Sequence, residues 1–156
     1  MSLKFRLSPA IAALALLSLS ASTSIRAQGR ATTAKSIRCT FPLNATGKWN
    51  GNGLPDAVVK QSQLVLRFDS INTDEGSAEL KNGSVGTGIT VQLAGGNLHF
   101  IQAFRSGPLY VTTVFDKDPG QAKLKAVHSR HEYFKVPLEG ATSSPEQYYG
   151  ECEILN

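Results

Sequence analysis

The chain holds two cysteines, Cys39 and Cys152, one near each end. If they pair, they restrict the fold more than any other feature. A disulfide needs its α-carbons within about 7 Å, so the first and last structured elements must be neighbours. The bond would close a loop of about 110 residues, for which the chain-entropy model gives about 4–5 kcal/mol. That is a large share of the stability of a small domain. Neither thiol belongs to a Cys-x-x-Cys pair or has a histidine cluster beside it, so a metal site is a poor alternative.

Such a bond persists in an oxidising compartment, and the N-terminus supplies a route there. Lys4 and Arg6 precede an apolar run from Leu7 to Leu19, small residues follow from Ser20 to Ser24, and Ile25-Arg26-Ala27 offers a cleavage site. This is the layout of a secretory signal peptide over 1–27, and cleavage after Ser22 would also be legal. The apolar run is short of the roughly 20 residues a transmembrane helix needs. The expected location is therefore periplasmic or secreted, with no stable membrane insertion after cleavage. The leader carries Lys4, Arg6 and Arg26 and no acid, so its removal lowers the net charge from +4 to +1. The remaining basic residues are dispersed, and no nucleic-acid partner is expected.

Residues 28–35 are small and polar and read as a disordered lead-in. The rest, 36–156, reads as a single β domain. Apolar residues recur at period two in Leu64–Asp69, Ala78–Leu80, Ile89–Leu93, Leu98–Ala103, Leu109–Phe115, Lys123–Val136 and Tyr148–Ile154. Turn signals separate them at Asn72–Gly76, Asn82-Gly83, Gly95-Gly96-Asn97, Ser106-Gly107-Pro108 and Asp118-Pro119-Gly120, with a longer loop over Pro137–Pro145. No stretch has room for crossover helices, so neighbours should be antiparallel. The expected fold is all-β: an antiparallel meander of about eight strands. A small β-barrel would bring the first and last strands together for the disulfide; a two-sheet sandwich is the alternative. Trp49, in the Gly/Asn-rich stretch Gly47–Gly53, reads as a plug at one end of the barrel or as a stacking residue at a ligand mouth.

Phe68–Asn72 with Gly76–Ala78, Thr112–Phe115, Ala126–His131 and Gln147–Cys152 together resemble a group of small, secreted, uncharacterised bacterial proteins. That resemblance implies export and a single domain, and assigns no activity and no site residues. The layout is also similar to lipocalin-like (calycin) barrels in size and strand count. Gly47-Lys48-Trp49 has the spacing of their Gly-x-Trp signature, but no alternating strand follows it directly.

The densest chemistry lies in Ala126-Val127-His128-Ser129-Arg130-His131-Glu132-Tyr133. On a strand His128 and Arg130 share one face, and Ser129, His131 and Tyr133 share the other. The two histidines then point apart, which disfavours a metal pair. The bland reading is a polar network at the barrel rim, with Arg130 paired to Glu151 or Glu153. Ser129 and His131 raise nucleophilic catalysis, but the chain has no Gly-x-Ser-x-Gly elbow. Asp74-Glu75 and Asp116/Asp118 sit at turns, where turn hydrogen bonding explains them. Asp69 to Glu79 fails the calcium-loop register. Gly83, Gly86 and Gly88 lack the helix a phosphate cradle needs. Asn44-Ala45-Thr46 and Asn82-Gly83-Ser84 match the short N-glycosylation sequon. No cofactor and no metal is expected.

These observations favour an exported, non-enzymatic binding module that holds a small apolar or amphipathic ligand in the barrel mouth. Trp49, His128, Arg130 and Tyr148 would line it. The alternative is a structural or interaction domain that meets another extracytoplasmic protein. A hydrolase or metal enzyme at His128 or His131 stands a distant third. The sequence leaves the oligomeric state open.

Overall fold

Alternating apolar residues, short turns and the absence of long helical periodicity commit the chain to strands. The computed structural model describes residues 29–49, 52–81, 88–117, 120–132 and 144–155. One helical turn, α1 (Arg30–Thr33), precedes eight strands: β1 (Ile37–Trp49), β2 (Pro55–Asn72), β3 (Ser77–Leu80), β4 (Ile89–Ala94), β5 (Asn97–Ala103), β6 (Leu109–Phe115), β7 (Leu124–His131) and β8 (Glu146–Ile154). Each strand pairs antiparallel with the next, and β1 pairs with β8, so the sheet closes into a barrel. Closure decides between barrel and sandwich, because a sandwich would leave edges between its two sheets.

Cys39 and Cys152 are direct cross-strand partners on β1 and β8 and form the expected disulfide, with α-carbons 3.9 Å apart. Ile37, Cys39, Phe41, Leu66, Phe68, Val91, Leu98, Phe100, Val114, Leu124 and Ala126 are buried around it. The Phe68 and Phe100 rings stack with centroids 3.9 Å apart. This packed core fills the lower end of the barrel, as expected of an eight-stranded interior.

Residues 29–35 of the 28–35 stretch differ from the disordered lead-in expected there. Ala31 and Ala34 are buried, and the Ala31 amide donates to Asp116 Oδ2 at 2.7 Å. Lys35 O accepts from the Ile71 amide, and Ser36 O accepts from Leu155 N. Small side chains let this segment enter the lower mouth, where the barrel needs a cover, so its composition reflects packing and not disorder.

Two irregularities set which residues face inward. The register of β1 shifts against β2 between Phe41 and Leu43, and against β8 between Thr40 and Leu43. Against β8 the extra residue lies on β1, where Phe41 and Pro42 face Gly150, and the missing N–H of Pro42 suits a bulge; against β2 it lies on β2, where Ser62 and Gln63 face Pro42. β2 shifts between Asp69 and Asn72, and Ser70 there adopts φ 52°. The expected leader over 1–27, the expected Asn82-Gly83 turn, Asp118-Pro119, residues 133–136 of the expected long strand and 137–143 of the expected loop lie outside the described residues.

Candidate functional site

The upper half of the barrel carries polar side chains inward on two successive rungs. Direct cross-strand neighbours share a sheet face. The lower of these rungs runs Thr112, His128, Tyr148, Asn44 across β6, β7, β8 and β1; the upper runs Tyr110, Arg130, Glu146, Thr46. Gln102 of β5 extends the upper rung beside Tyr110. Glu132, just past β7, is buried beneath the same rim. The β1 bulge is what completes both rungs. Inward parity passes from Ile37, Cys39 and Phe41 to Asn44 and Thr46 only because one residue is inserted between them.

Arg130 is the centre. Its guanidinium carbon lies 5.3 Å from the Tyr110 ring centroid and 5.2 Å from that of Tyr148, a cation held against two aromatic rings. Its Nη1 is 3.9 Å from Glu146 Oε2, and its Nε donates to His128 Nε2 at 3.3 Å. The side chain keeps 24% of its surface exposed. Tyr110 donates to Glu132, and Tyr148 donates to Glu146. Thr46 Oγ1 bridges Asn44 Oδ1, at 2.8 Å, and Glu146 Oε1, at 3.5 Å.

This geometry fixes the protonation of His128. An arginine N–H can only donate, so Nε2 holds a lone pair and the ring proton sits on Nδ1, 2.8 Å from Thr112 Oγ1. Burial, and then the neighbouring Arg130 charge, push its pKa down to about 3. Burial and the Glu132 carboxylate push Tyr110 up to about 12; burial and Glu146 do the same for Tyr148. A base this weak and two such reluctant acids are mismatched to proton transfer near neutral pH. They are well suited to holding fixed hydrogen bonds.

Within these two rungs one buried group is incompletely used. Asn44 is 1% exposed, and its Nδ2 forms no hydrogen bond among the described residues. Its approach to Tyr148 favours the phenolate. A buried amide nitrogen in this condition is a donor awaiting an acceptor.

The structure brings His128, Arg130 and Tyr148 together. Trp49 stands apart: it is 56% exposed, at the end of β1, and the parity reset by the bulge turns it away from the barrel interior. It therefore does not plug the barrel. Arg130 pairs with Glu146 and not with Glu151 or Glu153. Glu151 lies opposite Thr40 on the outer face, and Glu153 pairs with Arg38, whose Nε donates to it at 2.6 Å. His131 is exposed, while His128 is buried. Ser129 accepts from Gln147 at 3.4 Å on the outside. Among the described residues no group of three His, Cys, Asp or Glu side chains is placed to hold a metal.

Sequence reasoning missed Tyr110, Thr112, Glu146, Glu132, Gln102 and Asn44. For most of these the signal was available: Tyr110 and Thr112 share parity with buried Val114, and Glu146 shares it with Tyr148. Asn44 carried none, because its parity depends on the bulge. Two open grooves, of about 520 and 800 Å³, lie outside this site; the first is lined by Arg38, Val65, Arg67, Asp69 and Lys81, and the second runs between α1 and the lower ends of β7 and β8. Comparison with protein-family models, curated proteins and solved structures gave no match.

Proposed function

We propose that this is an exported, non-enzymatic binding module whose ligand docks at the polar upper mouth. The lower half carries the buried apolar core, so the ligand would be small and amphipathic, held at the mouth and not swallowed whole. Its polar end would meet the exposed side of Arg130. Its apolar part would lie against Phe104, whose ring packs 4.8 Å from Tyr110, and Val58, which lies opposite Thr46. The observation that carries this reading is a partly exposed guanidinium fixed between two tyrosine rings, one rung above the buried Asn44 donor. Such a cluster is costly to build and spends its hydrogen bonds on holding Arg130 in place. The calycin-like layout supports binding as an analogy of architecture alone. The leader-like N-terminus and the disulfide support a periplasmic or secreted location.

Native mass spectrometry of protein purified gently from its own host tests the reading. The expected result is an adduct that is lost on denaturation and absent from an Arg130→Met variant. A bare chain mass with the two-hydrogen deficit of a disulfide would refute it.

A further inference from the structure

Beyond ligand binding, β2 carries an interaction surface. It is 18 residues long, but β3 pairs only with Phe68, Asp69 and Asn72 near its lower end. Along Ala57–Gln61 the strand is paired with β1 on one edge. Its other edge has no strand beside it among the described residues. Every residue from Pro55 to Gln61 is exposed, including Val58 and Val59, the latter at 62%. An edge of open amides and carbonyls with β-branched side chains is a template for another strand.

We infer that this edge pairs antiparallel with the same edge of a second copy of this chain. The sequence of the edge selects that occupant. A two-fold axis normal to the sheet at Val58 sets Asp56 of each copy opposite Lys60 of the other, and Ala57 opposite Val59. Lys60 has no carboxylate partner among the described residues, whereas Asp56 meets Lys48 at 3.7 Å on an exposed surface and accepts from the Ala57 amide at 2.8 Å. Self-pairing gives both lysines a partner, with two opposite-charge cross-strand contacts related by symmetry. Moving the axis to Val59 would oppose Lys60 to Val58 and Asp56 to Ser62, losing both. A lone lysine protects an edge against neutral strands, but not against one that presents a carboxylate opposite it. The contact is short, so the dimer belongs to the weak, concentration-dependent class.

Sedimentation equilibrium of the purified protein, with charge-reversed variants, decides the matter. The wild type should show a monomer–dimer equilibrium. Asp56→Lys and Lys60→Asp alone should each raise the dimer dissociation constant about tenfold or more, since each turns two attractive contacts into two repulsive ones. The double variant D56K/K60D should restore dimerisation, which also shows that neither change damages the fold. A wild-type monomer at concentrations up to about 1 mM would overturn the proposal. So would a dimer indifferent to the single reversals, or a monomer whose β2 edge is occupied by a co-purified extended peptide.

Discussion

Lowering the pH should unfold this protein through His128. The ring must stay neutral to accept the Arg130 hydrogen bond, and its pKa lies near 3 in the folded state against 6.5 for the free side chain. Between those values the unfolded chain binds a proton that the folded chain refuses. Stability therefore rises with pH in this window, and is lost as pH falls from 6.5 towards 3. Each pH unit is worth about 1.4 kcal/mol, so descent to pH 4.5 costs about 2–3 kcal/mol from this residue. With an ordinary urea dependence that lowers the unfolding midpoint by roughly 1–2 M. The carboxylates Glu132 and Glu146 also face this cluster, so the wild-type curve alone does not isolate the histidine. His128→Gln does: its amide oxygen can accept from Arg130 but cannot be protonated in this range. The variant should start lower at pH 7 and lose about 2 kcal/mol less between pH 6.5 and 4.5. Parallel curves for the two proteins across that window would refute the claim that a buried neutral imidazole supports Arg130.

Three further outcomes follow from the same geometry. Arg130→Lys should destabilise by about 1–2 kcal/mol in urea unfolding, because an ammonium cannot both spread against two rings and donate from Nε; an unchanged midpoint would show that the stacking contributes nothing. A spectrophotometric tyrosine titration should leave two of the four tyrosines, Tyr110 and Tyr148, un-ionised until about pH 12, and each should drop out when changed to Phe; four phenols ionising together near pH 10 would contradict their burial. Replacing both cysteines with alanine should cost up to about 5 kcal/mol of unfolding free energy, and a loss under about 1 kcal/mol would mean that the paired β1 and β8 hold the unfolded chain's ends together without the bond.

Much of the barrel was legible in the sequence because inward burial in most strands keeps strict period two. Leu98 and Phe100 on β5, Thr112 and Val114 on β6, and Leu124, Ala126 and His128 on β7 alternate without interruption. The pairing of Cys39 with Cys152 was legible for a different reason: two cysteines admit one connectivity. The site was legible only in part. His128, Arg130 and Tyr148 stood out as unusual residues in alternating strands, but their partners Thr112, Tyr110 and Glu146 look ordinary until the register lines them up. The lead-in misled because small polar composition describes both a free terminus and a segment made to fit a narrow mouth.

Asn44 and Thr46 were hidden by a single backbone event, and that event has a second participant. Without the insertion at Pro42, parity would carry Phe41 on to Leu43 and Ala45 inside, and the upper mouth would be apolar along β1. The bulge presses β1 towards β8, and Gly150 lies where it lands. A Cβ at Gly150 would collide with Thr40 O and come within 2.8 Å of Phe41 Cα. Both contacts are backbone, so neither can swing aside. The polar mouth thus depends on a residue that contributes no side chain to it. Gly150→Ala must either push out the bulge or part the two strands that the disulfide ties. Straightening the bulge turns Asn44 and Thr46 outward and strips Glu146 of the Thr46 hydroxyl, while Arg130 and both tyrosines stay in place. The variant should lose about 3 kcal/mol or more in urea unfolding. A Gly150→Ala protein of wild-type stability would mean that β1 carries no bulge there, and the inward placement of Asn44 would fall with it.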